Sequence, residues 1–133
     1  MQTLTYKTLA DQHYKGYLLK DAPERVLQFG EGNFLRAFVD YFIDMMNEKA
    51  GFNTKVVLTQ PIAPGLAPLI NQQQGLYTLL LRGSENGQAV DDRRVISCVS
   101  RCLNCVLSHF LHFFRISMAS RQQPEKPRRS FRR

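Results

Sequence analysis

Three features of the sequence predict an α/β fold. A short, mostly apolar run, Arg25-Val26-Leu27-Gln28-Phe29, ends at Gly30, as a buried strand does before a tight turn. An apolar period of three and four residues follows at once and marks a helix. A β-branched run, Lys55-Val56-Val57-Leu58-Thr59, then supplies a second strand about 25 residues after the first, the spacing of a βαβ unit.

The elements follow in order. Residues 1–24 form a polar lead-in with some irregular or helical structure. The strand over Arg25–Phe29 comes next. Asn33 is suited to cap the helix that follows, because its side chain can accept from a first-turn N–H. Within that helix Phe34, Phe38, Tyr41, Phe42 and Met45 share one face, while Arg36, Asp40, Asp44 and Glu48 lie off the stripe. Gly51 is placed to stop it. After the second strand, Gln60 to Pro68 holds Pro61, Pro64, Gly65 and Pro68 and reads as a loop, leading into a short helix near Leu66–Gln73. Leu76–Leu81 reads as a third strand and Gly83–Gly87 as a turn. Gln88–Val99 then returns as its antiparallel partner, with Val95, Ile96 and Val99 as the apolar residues.

Bulk properties narrow the class. A chain of 133 residues suits one domain, and 44% apolar with 22% charged residues is ordinary globular composition. Asp11, His13 and Lys15 interrupt the N-terminus, so no secretory signal is expected there. No stretch nears the roughly 20 apolar residues of a membrane span, and a cytoplasmic location is the default. Cys98, Cys102 and Cys105 are too few and too odd for a disulfide framework. Cys102-x-x-Cys105 is at most half of a metal site, and His109 and His112 complete no familiar ligand spacing, so no metal is expected.

The net charge of +7 is unevenly placed. Arg115, Arg121, Lys126, Arg128, Arg129, Arg132 and Arg133 face only Glu125, so the C-terminal stretch carries +6 and the body is nearly neutral. Such a tail either attracts phosphate-bearing nucleic acid or lipid, or is a solvated, disordered end. The second reading is favoured, so neither a nucleic-acid nor a membrane partner is expected, and no specific protein partner is evident. Residues 1–104 thus read as the folded part and residues 105–133 as a tail of different character, with Phe110, Phe113 and Phe114 crowded at its start.

The chemistry sits in Gly30-Glu31-Gly32-Asn33-Phe34-Leu35-Arg36. A glycine at the strand end permits the turn, and a second lets a pyrophosphate approach the backbone. The helix start then offers N–H groups and the positive end of its dipole. The third glycine of the G-x-G-x-x-G pattern would fall at Leu35 and is absent, with Ala37 available for close helix packing. Glu31 must turn its carboxylate away if phosphate binds. Thr59 and Gln60 stand where an acidic ribose ligand is usual, and either can hydrogen-bond a ribose hydroxyl. Arg36 has two readings, an anion clamp or an exposed residue of the first helical turn. The fold these features describe is an incomplete Rossmann-like dinucleotide-binding domain with a β-hairpin.

The same segment, with Phe29 before it and Ala37-Phe38 after, resembles the Gly-x-Gly-x-Phe-x-Arg-Ala signature of the mannitol dehydrogenase family, the polyol-specific long-chain dehydrogenases. Gln74-Gly75-Leu76-Tyr77-Thr78-Leu79 resembles that family's Gly-Leu-Tyr-Thr strand, and Val57–Ile62 and Leu79–Gly83 are similar to a sugar-acid branch of it. The resemblance implies an NAD-dependent, metal-independent oxidoreductase of hexuronate catabolism whose substrate is a small sugar acid. It implies that Gly30, Gly32, Asn33, Phe34 and Arg36 line the cofactor, with Gln60 and Pro61 near its adenosine side. It gives Leu35 and Glu31 no role. Family members carry a lysine base, with asparagine and histidine partners, in a C-terminal helical domain; nothing here matches that motif, so no catalytic residue is assigned. The resemblance ends at Asn104, as a shifted reading frame or an alternative terminus would produce. A truncated, inactive enzyme is therefore expected. The alternatives are a small non-catalytic nucleotide-binding module and a basic-tail nucleic-acid or membrane binder.

Overall fold

The structure, a computed structural model, describes residues 3–104. Cys105, His109, His112 and the basic tail lie outside the described residues.

A short helix α1 (Tyr6–Asp11) opens the chain, capped by Thr5, which exchanges hydrogen bonds with Thr8. The strand β1 (Glu24–Phe29), the helix α2 (Asn33–Ala50) and the strand β2 (Lys55–Gln60) follow as the βαβ unit. Next come α3 (Ala67–Gln72), β3 (Tyr77–Glu85), β4 (Gln88–Ile96) and β5 (Val99–Asn104). The sheet β1-β2-β5 is parallel throughout, with Phe29 opposite Thr59 and Gln60 opposite Asn104. β3 and β4 form a separate antiparallel hairpin closed at Asn86–Gly87. This is the expected partial Rossmann fold with its hairpin.

Every residue of β2 is buried, as befits a central parallel strand covered on both faces. Val56, Leu58, Val99 and Cys102 pack with Ile43 of α2, Ile70 of α3 and Leu79 and Ile96 of the hairpin. A smaller cluster joins Leu9 of α1 to Leu76 and Val95. Lys55, the first residue of β2, is buried too; its ammonium donates to Leu19 O at 2.7 Å, Ser97 O at 2.6 Å and the Tyr6 hydroxyl at 3.2 Å.

Two expectations need correcting. The first concerns the face of α2. An apolar stripe ordinarily faces the core, yet Phe34, Phe38 and Phe42 are 75%, 53% and 50% exposed, while Asp40 and Asp44 are wholly buried. The inner face is polar because it binds the backbone of its neighbours. Asp44 accepts from Ser97 N (2.9 Å), Ser97 Oγ (3.1 Å) and the Arg94 guanidinium (2.6 and 2.9 Å). Asn47 pairs with both the N–H and the carbonyl of Thr54 at 2.9 Å, which fixes the turn into β2. The phenylalanines stack on one another outside, with ring centroids 5.7 Å apart for Phe34 and Phe38 and 5.0 Å for Phe38 and Phe42.

The second correction concerns Gln88–Val99, which is not one strand. The chain turns at Ser97 and Cys98, both fully buried, and residues from Val99 leave the hairpin to pair with β2. Ser97 is pinned by Asp44 on one side and accepts from Leu19 N at 2.8 Å on the other, so it cannot continue the β4 ladder.

Candidate functional site

The phosphate-type loop lies at the C-terminal edge of the parallel sheet, where open α/β folds bind their ligands. Gly30 has φ +106°, a conformation side chains rarely adopt. Its N–H donates to Thr59 O at 2.9 Å and its carbonyl accepts from Gln28 Nε2 at 3.2 Å, so the loop is tied to both parallel strands. Gly32, not Asn33, is the N-cap of α2, and no side chain caps the helix. The reason is visible at Asn33: its Oδ1 accepts from Arg36 Nη2 at 2.5 Å instead. The first-turn N–H groups are thereby left without a side-chain partner, which suits an anion. A Cβ on Gly32 would meet nothing within 4 Å, so the space above the loop is open.

Arg36 is neither a free clamp nor a loose surface residue. Its Nε donates to Glu31 O at 2.9 Å, and its guanidinium lies 5.2 Å from the Tyr77 ring centroid. It therefore braces the loop from beneath, and a cation near a helix N-terminus is offset by these contacts. Phe34 stands exposed beside the loop.

Gln60 and Pro61 reach the same edge, but differently. Gln60 is fully buried; its Nε2 donates to Ile62 O and Ala63 O at 2.7 and 3.0 Å, and its Oε1 accepts from Ala67 N at 2.8 Å. It shapes the loop between β2 and α3. Thr59 Oγ1 likewise donates to Gln28 O at 3.1 Å. Neither side chain extends toward open space where a ribose hydroxyl would lie. Pro61 is exposed at the edge. A Cβ on Gly65 would collide with the Gln60 amide and the Glu31 carboxylate, so the two loops touch there and Glu31 points at the second loop.

The second sequence motif meets the first. Gly75, at φ +77°, passes so close to β5 that a Cβ would lie 2.2 Å from Val99 O. Leu76 is buried behind it. Tyr77 then reaches α2, its hydroxyl donating to Arg36 O at 2.7 Å and lying 3.3 Å from Asp40 Oδ2. A cavity of about 180 Å³ opens beside them, lined by Asn33, Arg36, Ala37, Tyr77, Thr78 and Leu79. Burial, only partly countered by Tyr77, Gln28 and Arg36, raises the Asp40 carboxyl to about 6. Burial likewise pushes the Tyr77 phenol well above its usual range, with Asp40 adding to the effect. Asp40 and Gln28 were not singled out from the sequence, and Tyr77 entered only as part of the Gly-Leu-Tyr-Thr resemblance. The available signal was a pair of acids at i and i+4, Asp40 and Asp44, on what proves to be the inner face.

The larger cavity, about 590 Å³, is at the opposite end of the sheet, lined by Tyr6, Lys20, Asp21, Glu24, Lys55 and Ser100 among others. It is the wrong edge for a nucleotide in an open α/β sheet. Among the described residues no group of His, Cys, Asp and Glu is placed to hold a metal ion, and no helix is long and apolar enough to cross a membrane. Cys98 and Cys102 are both buried.

Comparison with known proteins agrees with this geometry. The family description of the mannitol dehydrogenase Rossmann domain matches residues 24–110. Altronate oxidoreductase of Klebsiella pneumoniae is 48% identical over 96 residues, covering 71% of this chain and 19% of that protein. Altronate oxidoreductases of Shigella sonnei and Escherichia coli O1:K1 are each 44% identical over 112 residues, covering 84% of this chain and 22% of theirs. The chain spans about a fifth of the length of the curated relatives it matches.

Proposed function

The chain belongs to the mannitol dehydrogenase family, and on that premise we propose that residues 1–104 are the cofactor-binding part of an NAD-dependent altronate oxidoreductase, which reduces tagaturonate to altronate in hexuronate catabolism. The observation that carries this reading is the open, uncapped start of α2 beneath a left-handed Gly30, at the C-terminal edge of a parallel sheet. A pyrophosphate fits there: the N–H groups of the first turn face it, Gly32 leaves it room, and Glu31 is turned aside.

Gly30, Gly32, Asn33 and Phe34 would hold the dinucleotide, and Arg36 would keep the loop in shape rather than grip the phosphate. The bound cofactor supplies the hydride. Gln60 and Pro61 contribute by setting the neighbouring loop against which the adenosine side would rest. The chain's part in the reaction is thus binding and orientation, and turnover requires the proton-transferring residues that other family members carry beyond the matched stretch. The location follows from this role and is cytoplasmic.

Calorimetric titration of the chain with NADH and with ADP-ribose tests the reading. Both should bind, with similar affinity because the pyrophosphate and adenosine make the contacts, and Gly32→Glu should abolish both. Absence of heat with either ligand at millimolar concentration would overturn it. The same chain mixed with NADH and tagaturonate should show no turnover.

A further inference from the structure

The two edges of the parallel sheet are finished differently. The outer edge of β5 is sealed. The Asn71 side chain takes both backbone groups of Cys102, its Oδ1 accepting from Cys102 N at 2.8 Å and its Nδ2 donating to Cys102 O at 2.9 Å. Gly75 crowds Val99 O on the same strand, so no further strand fits there. The outer edge of β1 carries no strand among the described residues, since the sheet order is β1-β2-β5. In a parallel ladder alternate residues bond to a given neighbour. Gly30 N donates to Thr59 O and Gln28 O accepts from Thr59 Oγ1, so Gln28 faces β2 and Leu27 turns its backbone N–H and carbonyl outward. Such an edge is a template for another strand.

An apolar face accompanies the open edge. α2 turns its polar face to Thr54, Arg94 and Ser97, toward β5 and the hairpin, so the row Phe34, Phe38, Phe42 and Met46 looks the other way. Leu27 and Phe29 of β1 are 36% and 53% exposed. These six side chains leave on the order of 500 Å² of apolar surface in water. That is near the upper end of what monomers expose in one patch, about 300–600 Å². A standard interface takes about 800 Å² from each partner, a little over half of it apolar, so the face has the size that one side of such an interface needs. We propose that a second copy of this chain covers it, with the two β1 strands paired across a twofold axis and the two phenylalanine rows meeting beside them. The twofold axis makes the β1 pair antiparallel and joins two three-stranded sheets into one of six strands. Because Asn71 seals the far edge of each copy, the assembly closes at two and does not grow into a fibre. The proposal stands apart from the cofactor reading.

Sedimentation velocity of the whole chain, from a few micromolar to several hundred micromolar, tests this. The chain should pass from monomer to dimer and stop there. Phe38→Glu places a charge on the apolar row, and Leu27→Pro removes an outward N–H while sparing the ladder to β2. Each change occurs twice in a twofold interface, so each should weaken association at least about tenfold. Leu69→Ser, at an equally exposed position on α3 by the sealed edge, should leave association as it is. Hydrogen exchange supplies a second readout that survives poor folding of Leu27→Pro. In the parent chain the Leu27 amide should exchange more slowly as concentration rises, and in Phe38→Glu it should not. A monomer throughout the range, with residues 105–133 or solvent covering the face, would overturn the proposal. So would association that Leu69→Ser weakens as much as Phe38→Glu, species that grow beyond two, or a dimer whose Leu27 amide exchanges as fast as in the monomer.

Discussion

The inverted helix gives the sharpest test of the fold. Phe38→Ala and Asp44→Ala, made separately, should rank opposite to what the apolar stripe of α2 suggests. Were Phe38 a core residue, its truncation would cost about 3–5 kcal/mol. Half of it is exposed, and it loses only its stacking with Phe34 and Phe42 and part of its burial, so the expected loss is about 1 kcal/mol. Asp44→Ala leaves the Ser97 N–H without an acceptor and strips the half-buried Arg94 of its inner partner, with only Glu48 remaining at 2.7 Å. Breaking one side of a buried pair costs about 3–5 kcal/mol. Urea unfolding followed by far-ultraviolet circular dichroism would give both values from the midpoints, provided the slopes agree. A chain carrying Asp44→Ala that is already unfolded without urea meets the expectation. Phe38→Ala costing more than Asp44→Ala would refute the orientation of α2.

Three further outcomes follow from other contacts. Gly75→Ala should destabilise by more than about 2 kcal/mol, through the left-handed backbone and the collision with Val99 O, and thermal unfolding would show it. Asp40→Asn should stabilise the chain at neutral pH. The folded acid has its pKa raised from 3.8 to about 6, so the parent loses stability as pH rises from about 4 to 6, by a total of about 3 kcal/mol, and the variant escapes that loss; unfolding midpoints at pH 4 and pH 8 would measure the difference. Glu24 is held below its usual range by hydrogen bonds from Arg101, but both are exposed enough that Glu24→Gln should cost less than about 1 kcal/mol, and only above the carboxylate's titration, in the same assay at neutral pH.

The βαβ unit was legible because local rules and the global fold agree there. A glycine ends β1, β-branched residues fill β2, and the turn cluster after Leu81 closes a hairpin. The face of α2 was not legible, because periodicity reports which residues are alike and not which surface they meet. On this helix, hydrogen bonds from Asp44 and Asn47 to buried backbone outweigh the preference of the phenylalanines for the core. The third parallel strand was hidden in a continuous β-type run. Only Ser97, held by Asp44 and Leu19 from either side, divides it, and such a long-range contact leaves no local mark. At the site the loop itself was visible from its two glycines. Its support was not: the roles of Arg36 and Gln60 depend on partners supplied by folding, and Arg36 proves to face inward to the loop rather than outward to solvent.

Tyr77 stands 41 positions after Arg36, yet its hydroxyl and ring are what Arg36 rests against. The first βαβ unit is therefore not self-sufficient. A chain ending just past β2 would contain every glycine of the loop and both of its flanking strands, but the arginine beneath it would lack its seat. The smallest piece able to present a shaped loop extends through the hairpin to Ser97, which anchors α2 from behind.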